Sequence, residues 1–417
     1  MLKKLRKLTK KIGPGVITGA SDDDPSGIAT YSIAGASQGY NLLWSSLLTF
    51  PLMAAIQEMC ARIGVVTGKG LAGNIKTHYK SKFALYFLAV LIISANTINI
   101  GADLAGMAEA TRLLLPVNSL FISLLITVSL VVIMIRFPYK FIASKLKWTT
   151  FALFAYIAAA LITKQDWGEI LLRTFLPKFS LSKDYIVLIV AILGTTISPY
   201  LFFWQASEEV EEKKEAEHVA HRKIIVTKHE LKHVRDDVNL GMLFSNVVMY
   251  AIIATTASTL FRFGIHEIQT ADQAAKALEP VAGQASSLLF TLGIVGTGLL
   301  AIPVLAGSAA YVVAETFNWK GSLNEPYRKA KPFYAVIAAS IVVGFLMNFI
   351  GINPFQALFY TAVIYGLISP VIILVILFIA NNKKIMGNFT NSLATNVLGI
   401  ATFVIMSLAA IGFLFTL

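Results

Sequence analysis

Long apolar runs alternate with short polar or Pro/Gly-rich breaks along nearly the whole chain. An α-helix rises about 1.5 Å per residue, so an apolar run of about 20 residues crosses the hydrocarbon core of a bilayer. The runs therefore predict eleven membrane-spanning helices. They cover residues 13–39, 41–66, 83–109, 118–136, 148–163, 185–207, 238–261, 285–315, 333–350, 355–380 and 393–416.

Composition supports the same class. Of the 417 residues, 56% are hydrophobic and 14% are charged, and the mean hydropathy is +0.70. A soluble domain carries about 25% charged residues, so much of this surface must face lipid. The single cysteine, Cys60, excludes a disulfide framework and a Cys-based zinc or iron–sulfur site. The sequence predicts an all-α, polytopic integral membrane protein.

The basic residues predict the orientation. With the N-terminus in the cytoplasm, 27 of the 35 Lys and Arg residues lie in cytoplasmic segments, 7 lie in the outer connections, and Arg62 lies within a span. Basic residues concentrate on the cytoplasmic side of membrane proteins, so the C-terminus is expected outside. The net charge of +12 is thus assigned to the cytoplasmic leaflet of the lipid bilayer and not to nucleic acid.

The order of the spans predicts five segments. Residues 1–12 form a basic cytoplasmic tail, because they lack a signal-peptidase site. Spans 1–5 (13–163) and spans 6–10 (185–380, with a charged, helical cytoplasmic connection at 208–237) form two halves. An extracellular connection (164–184) joins them, and 381–417 adds a connection and span 11. We expect a plasma membrane location in a prokaryotic cell, because the chain has no organellar targeting sequence.

Span 1 is interrupted by the sequence Ser21-Asp22-Asp23-Asp24-Pro25-Ser26-Gly27. A carboxylate in hydrocarbon costs at least about 2.5–3.5 kcal/mol on insertion scales. Pro25 removes a backbone donor and clashes with the preceding turn. Broken backbone at membrane depth is tolerated where it lines a cavity, so we expect a helix break there.

Span 6 has a matching interruption, Gly194-Thr195-Thr196-Ile197-Ser198-Pro199-Tyr200. Spans 1 and 6 are five apart, so the two halves enter the membrane from opposite sides. Paired broken helices at corresponding positions are typical of inverted five-helix repeats with a binding site at the midplane. Two proline kinks without a ligand are the alternative, which the three carboxylates at one break disfavour.

The side chains at the two breaks predict the kind of ligand. Asp24 and the last carbonyls of the first half-helix favour a cation. Span 6 offers the Thr195 carbonyl and hydroxyl, the Ser198 hydroxyl and the Tyr200 phenol. Neither break contains His, Cys or Met, so soft-metal ligands are absent there. An oxygen-only site suits Mg²⁺, with Mn²⁺ tolerated.

Four motifs then resemble the Nramp metal-ion transporters. They are Gly13-Pro14-Gly15, Asp24-Pro25-Ser26-Gly27, the span 2 segment 57–69 (QEMCARIGVVTGK) and the span 3 segment 101–106 (GADLAG). The similarity runs through spans 1 to 10 in order. This resemblance implies a LeuT-like fold that moves divalent metal ions, with no cofactor and no enzymatic activity.

The departures from the family pattern are informative. The usual span 1 motif Asp-Pro-Gly-Asn ends here in Gly27, and the usual span 6 motif Ala-x-x-Met-Pro-His has Thr195, Ser198 and Tyr200 at its Ala, Met and His positions. In span 3, Asp103 is present but the following Glu is Gly106; the second span 6 His is Gln205. This pattern resembles the Nramp-related magnesium transporters, which implies a wider cavity, a largely hydrated ion and transport without protons.

Several alternatives remain open at this stage. A proton-coupled Mn²⁺/Fe²⁺ carrier is the first, and an amino-acid permease of the same architecture is the second. A membrane enzyme lacks a nucleophile–base pair at membrane depth, and the absence of a P-loop argues against ATP. Nothing in the sequence indicates the oligomeric state.

Other polar residues have several interpretations. Asp22 and Asp23 either attract a hydrated cation, with Asp23 as a further metal ligand, or face a vestibule; Asp103 either faces the cavity or serves as a hydrogen-bond partner. Glu58 and Arg62, four residues apart, predict an intrahelical pair. A solvated face is predicted for four glutamates after span 6, Glu208, Glu209, Glu211 and Glu212. Four histidines lie among Lys and Arg residues, which repel cations and disfavour a metal site: His218, His221, His229 and His233.

Overall fold

The computed structural model describes residues 13–79, 82–137, 153–221 and 225–416. These residues form helices and connections, with no β-strand among them. The fold is all-α, as predicted. The basic tail 1–12, and residues 138–152 of the predicted fourth connection and fifth span, lie outside the described residues.

The described residues form eighteen α-helices, numbered in chain order. They are α1 Pro14–Asp22, α2 Pro25–Gln38, α3 Trp44–Thr67, α4 Leu71–His78, α5 Lys82–Arg112, α6 Ser119–Arg136, α7 Phe154–Ile162, α8 Trp167–Phe175, α9 Lys183–Thr196, α10 Pro199–Ala220, α11 Lys228–Thr259, α12 Ala271–Ala275, α13 Glu279–Ala282, α14 Ser286–Phe317, α15 Lys331–Met347, α16 Pro354–Asn381, α17 Lys383–Met386 and α18 Leu393–Leu414.

Most of the predicted spans have a counterpart among these helices. Within the described residues, eight helical segments are long and apolar enough to cross a membrane, and Pro25–Leu42 with Trp44–Thr67 forms a further pair bent by 109°. The prediction of eleven spans treats this pair as two membrane crossings. Helices α1 and α2 together form the first crossing, and α3 forms the second. It also includes 148–163, of which α7 is the described part. The division of the chain at 163/164 and 380/381 stays a prediction.

Both predicted helix breaks are present. Asp23 and Asp24 separate α1 from α2, and Ile197 and Ser198 separate α9 from α10. Asp24 and Ser198 each have an extended backbone, and a proline follows at the first helical position. Amide hydrogens in the first turn of a helix have no partner within the helix, so proline, which has no amide hydrogen, is well tolerated there. Proline also disfavours helical geometry in the residue before it. The Asp-Pro and Ser-Pro pairs therefore end one helix and begin the next.

The connection predicted at 208–237 consists mainly of two helix extensions. Helix α10 continues to Ala220, and His221 follows in the left-handed conformation with φ 50°. Helix α11 begins at Lys228, where the Thr227 side chain accepts a hydrogen bond from the Glu230 amide. The helical prediction for this segment is confirmed on both sides of residues 222–224.

Close backbone packing places α1 against α11. A Cβ atom on Gly15 would lie 2.6 Å from Val238 backbone atoms, and Gly19 and Gly241 also meet through their backbones. Asp237 accepts hydrogen bonds from the Gly13 and Gly15 amides at 3.0 and 2.7 Å. The first half-helix is therefore held at its N-terminal end by α11.

The predicted pair in span 2 is confirmed. Arg62 Nε lies 3.2 Å from Glu58 Oε1. Arg62 also donates to the Phe389 and Thr390 carbonyls at 3.2 and 3.0 Å. The pair thus joins α3 to the connection before α18, which supports its structural interpretation.

The solvated face predicted after span 6 is wrong for two of its glutamates. Glu209 and Glu211 are 4% and 7% exposed. Glu209 accepts a hydrogen bond from Gln205 at 2.8 Å, and Glu211 accepts from Ser322 and Asn324 at 2.5 and 2.7 Å. Hydrogen bonds offset the cost of burying these carboxylates.

Candidate metal-ion site

Asp24 lies in the first break and caps the N-terminus of α2. Its Oδ1 accepts hydrogen bonds from the Ser26 hydroxyl at 2.7 Å and the Gly27 amide at 2.8 Å. Its Oδ2 accepts one from Asn99 Nδ2 on α5 at 2.9 Å. A carboxylate has about four lone-pair positions, so one direction on Oδ2 is left for a cation.

Asp22 and Asp23 are joined to α11 through one hydroxyl group. Ser245 Oγ lies 2.6 Å from Asp22 Oδ2 and 3.3 Å from Asp23 Oδ1. Both carboxylates are fully buried, and their other oxygens, Asp22 Oδ1 and Asp23 Oδ2, have no hydrogen-bond partner among the described residues. The structure therefore places these two aspartates at the break but does not turn them toward a vestibule open to solvent.

Thr195 brings the second break against the first. A Cβ atom on Gly27 would lie 3.2 Å from Thr195 Oγ1 and 3.3 Å from the Asp22 carbonyl oxygen. Glycine at position 27 thus allows the two breaks to approach closely. In this closed arrangement the space at Gly27 is already narrow.

The Ser198 hydroxyl is hydrogen-bonded to carbonyls at the end of α9. Ser198 Oγ donates to the Gly194 carbonyl at 2.9 Å and lies 2.7 Å from the Thr195 carbonyl. The carbonyls at the end of α9 are therefore covered by a side chain that can rotate away. Its oxygen lone pairs stay free to face an ion.

Tyr200 connects the two breaks. Its hydroxyl donates to the Ser21 carbonyl at 2.8 Å, and its ring centroid lies 5.7 Å from that of Tyr365 on α16. The Tyr200 proton is thus used in a contact between α10 and α1. Its role as a metal ligand stays a prediction.

Asp103 lies on the face of α5 that is directed at the first break. It is fully buried near the Ser26 amide and Asp24. Neither carboxylate oxygen has a hydrogen-bond partner within the described parts of the chain. An unpaired buried oxygen costs about 1–3 kcal/mol. The role of Asp103, in the cavity or as a hydrogen-bond partner, stays a prediction.

Gln205 lies apart from these residues, two turns further along α10. Its Oε1 accepts from Thr18 Oγ1 at 2.5 Å and its Nε2 donates to Glu209. These hydrogen bonds tie α10 to α1. The structure thus brings eight of the nine candidates to the two breaks and leaves Gln205 outside them.

The candidate residues are closed off from solvent. Asp24 and Thr195 are each 2% exposed, and Ser198 and Tyr200 are each 1% exposed. No group of three or more His, Cys, Asp or Glu side chains within the described ranges is arranged to hold a metal ion. An ion here would be held by one carboxylate with hydroxyl, amide and carbonyl oxygens, or by its own water, as suits a hard cation.

Sequence reasoning missed Asn99 and Ser245. Asn96, Asn99 and Asp103 recur at three- and four-residue spacing, which puts them on one face of a helix. Polar residues on one face of a membrane helix point to the interior of the bundle. This pattern could have identified Asn99, whereas an isolated serine such as Ser245 gives no comparable signal.

Known metal cation transporters are similar to this chain over most of its length. A divalent metal cation transporter MntH of Caldanaerobacter subterraneus is 26% identical over 414 residues, covering 96% of this chain and 92% of that protein. The MntH of Pectobacterium carotovorum is 25% identical and covers 91% of this chain and 88% of that protein.

Solved structures share the fold. An Eremococcus coleocola manganese transporter, in complex with an aromatic bis-isothiourea compound, has a TM-score of 0.75 at 18% identity, covering 97% of this chain and 86% of that one. The inward-facing conformation of Mhp1 has a TM-score of 0.54 at 13% identity, covering 97% and 90%. The fold is therefore LeuT-like, as expected.

The family model for natural resistance-associated macrophage protein-like (Nramp) proteins matches residues 15–416. This range contains both helix breaks and every candidate residue described above. The chain belongs to the Nramp family of membrane transporters.

Proposed function

We propose that this protein imports Mg²⁺, tolerates Mn²⁺, and moves the ion by alternating access through the two helix breaks without carrying protons. Family membership makes it a multi-pass membrane transporter of divalent metal cations, with the ion as substrate. The choice of Mg²⁺ and the absence of proton coupling are the proposed parts. So are the plasma membrane location and the cytoplasmic N-terminus, the second of which rests on the distribution of basic residues.

The observation that carries the proposal is the chemistry of the donors. The candidate ligand atoms at the breaks are the Asp24 carboxylate, the Thr195 and Ser198 hydroxyls, and nearby carbonyl oxygens. Mg²⁺ prefers oxygen ligands and usually keeps several waters. A thioether or imidazole would favour softer ions, and neither break contains one.

The resemblance to the Nramp-related magnesium transporters supports the same ion. Gly27 and Ser198 stand where the usual motifs have Asn and Met. The absence of proton coupling rests on Tyr200, Gly106 and Gln205, which replace ionisable His and Glu residues of those motifs. A tyrosine with an ordinary pKa near ~10 exchanges protons poorly at neutral pH.

The helix breaks support alternating access. Each break lets its two half-helices move separately, because no continuous helical hydrogen bonding crosses it. In this closed form Tyr200 and Gln205 tie α10 to α1, and Asp237 ties α11 to α1. Release of α1 from these contacts would open the site on the predicted cytoplasmic side.

A proton-coupled Mn²⁺ or Fe²⁺ carrier is the second candidate. The Eremococcus coleocola protein that shares this fold is a manganese transporter, which favours this candidate. A structural observation also bears on it: Met107 and Pro25 both pack on Gly298, which brings a thioether beside the first break. A ligand role for Met107 would favour softer ions.

An amino-acid permease is disfavoured by the first break. Asp24 occupies the N-terminus of α2 and accepts the Gly27 amide hydrogen. A helix N-terminus that bound a substrate carboxylate would need its amides free. The Asp24 side chain already fills this position.

A metal panel tests the proposal. The purified protein in proteoliposomes is assayed for uptake of Mg²⁺, Mn²⁺, Fe²⁺, Cd²⁺ and Ca²⁺, alongside the Met107→Leu variant. We expect uptake of Mg²⁺ and Mn²⁺, and the same ion preference in the variant. Uptake of Mn²⁺ and Cd²⁺ without Mg²⁺, or a preference that depends on Met107, would favour the second candidate.

A further inference from the structure

Asn99 lies at the middle of α5, on the same face as Asn96 and Asp103. Asn96 and Asn99 are both fully buried, but their hydrogen bonding differs. Asn96 donates to the Leu305 carbonyl at 3.0 Å and accepts from Tyr365 at 3.0 Å. Asn99 donates to Asp24 Oδ2 at 2.9 Å, while its Oδ1 has no partner among the described residues.

The orientation of the Asn99 amide follows from Asp24. An ionised carboxylate only accepts hydrogen bonds, so the amide nitrogen must face it and the amide oxygen is the atom left over. The two terminal atoms of an amide are about 2.3 Å apart. Asn99 Oδ1 therefore lies within about 5 Å of Asp24 Oδ2, the oxygen that has a lone pair left for a cation.

A buried acceptor without a partner needs an explanation, and an ion or an ordered water is the usual one. An amide oxygen is a hard ligand of the kind found around Mg²⁺ and Ca²⁺. Position 27, where the usual family motif has an asparagine, carries no side chain in this protein. Asn99 offers an amide oxygen to the same break from a different helix.

We propose that Asn99 is a determinant of ion binding, which positions Asp24 through its Nδ2 and supplies its Oδ1 to the transported ion, directly or through one ion-bound water. The proposal rests on the metal-ion site at the helix breaks, as does the proposed function. It adds α5 to the helices that hold the ion.

Three variants separate this role from a structural one: Asn99→Leu, Asn99→Asp and, as the matched control, Asn96→Leu. Leucine removes both polar atoms of Asn99, and aspartate keeps an oxygen but loses the hydrogen bond to Asp24. The measurements are KM and maximal rate for Mg²⁺ and Mn²⁺ uptake in proteoliposomes, and the melting temperature of the purified protein with and without each metal.

We expect Asn99→Leu to raise KM at least tenfold and to abolish the stabilisation by metal. Asn99→Asp should have a KM between those of the wild type and Asn99→Leu, because its oxygen can still face the ion. Asn96→Leu should lower the metal-free melting temperature and leave KM unchanged.

Three results would overturn the proposal: a wild-type KM in Asn99→Leu, a KM in Asn99→Asp at or above that of Asn99→Leu, or an equal rise of KM in Asn96→Leu. If Asn99→Leu fails to fold, Asn99→Ser replaces it and should also raise KM. Failure of the proposed function appears separately, as a wild-type protein that does not take up Mg²⁺; the Asn99 role is then decided with Mn²⁺.

Discussion

The two helix breaks have the same backbone geometry, but their side chains make different hydrogen bonds. At the first break, Asp24 and Asp22 are hydrogen-bonded to α5 and α11 through Asn99 and Ser245. At the second break, Ser198 is hydrogen-bonded to carbonyls at the end of the preceding helix, α9. Both breaks contact neighbouring helices, since Ser369 on α16 donates to the Ile197 carbonyl at 3.0 Å. The difference is that the carboxylates of the first break are held by other helices, whereas the Ser198 hydroxyl of the second break is held locally.

From this difference we expect the two breaks to contribute differently to ion binding. A charged ligand is placed accurately only when other groups hold it, and Asp24 has three donors around it. The covered carbonyls of Gly194 and Thr195 can be exposed by rotation of a single side chain. The first break would then determine affinity and the second would determine which ion is preferred.

The largest expected effect comes from Asp24→Asn. An asparagine can still accept from the Gly27 amide, so it keeps the cap of α2 while it removes the charge. Loss of one partner from a buried charge pair costs about 2–5 kcal/mol, which corresponds to at least a thirtyfold loss in apparent affinity for Mg²⁺. Metal titrations of uptake measure it.

Asp166→Asn is the matched control for this variant. Asp166 caps α8 by accepting from the Glu169 amide at 2.9 Å, away from the breaks. Its substitution should leave uptake unchanged. Normal Mg²⁺ affinity in Asp24→Asn would remove Asp24 from the ion site and with it the distinction between the two breaks.

The second effect is a change of ion preference in Ser198→Met. The substitution places a thioether at the second break and uncovers the Gly194 and Thr195 carbonyls. We expect the ratio of Mn²⁺ or Cd²⁺ uptake to Mg²⁺ uptake to rise about tenfold, because sulfur ligands favour softer ions. Competition assays between pairs of metals measure the ratio.

Ser198→Ala controls for loss of the hydroxyl group without added sulfur and should leave the ratio near the wild-type value. Adding Gly27→Asn should strengthen the shift by restoring an amide oxygen, although a Cβ atom there would press on Thr195 Oγ1 at 3.2 Å. An unchanged ratio in a well-folded double variant would contradict the assignment of ion preference to the second break.

The smallest effect is expected for Tyr200→Phe. The variant loses the hydrogen bond from Tyr200 to the Ser21 carbonyl, and such a bond contributes about 1 kcal/mol. We expect a severalfold change in maximal uptake rate with KM unchanged, since the bond joins two moving half-helices. A large rise in KM would instead identify Tyr200 as a ligand, in line with the sequence-based assignment.

Tyr365→Phe provides the comparison for Tyr200→Phe. Tyr365 is also fully buried, but its hydroxyl donates to Asn96 on α5 and not to α1. Its substitution should lower stability without changing the maximal rate as much. Equal rate changes in both variants would show that the α1 contact has no special role.

The sequence alone was sufficient to predict the breaks but not their partners. Asp-Pro and Ser-Pro act on adjacent backbone, so their effect is local and appears in the sequence. Asn99 and Ser245 act between helices that are distant in sequence from Asp24 and Asp22, and only the packing of the bundle brings them together.

In the connection after span 6, the sequence predicted exposed glutamates, and two of them are buried. A run of glutamates usually faces water, but α10 continues past the apolar run and buries Glu209 and Glu211. Glu209 accepts from Gln205 of the same helix, and Glu211 accepts from polar groups of another segment. Charge patterns predict exposure only where no partner is available, and the partners Ser322 and Asn324 are more than a hundred residues away in the chain.

The proposed transport of Mg²⁺ by an oxygen-only site without protons is tested by following both ions in the same vesicles. Proteoliposomes that contain a Mg²⁺-sensitive dye and a pH-sensitive dye are held at a clamped membrane potential while Mg²⁺ is added outside. We expect Mg²⁺ entry with no internal acidification. Metal-dependent acidification that disappears in Asp103→Asn would contradict it and would identify Asp103 as a proton carrier.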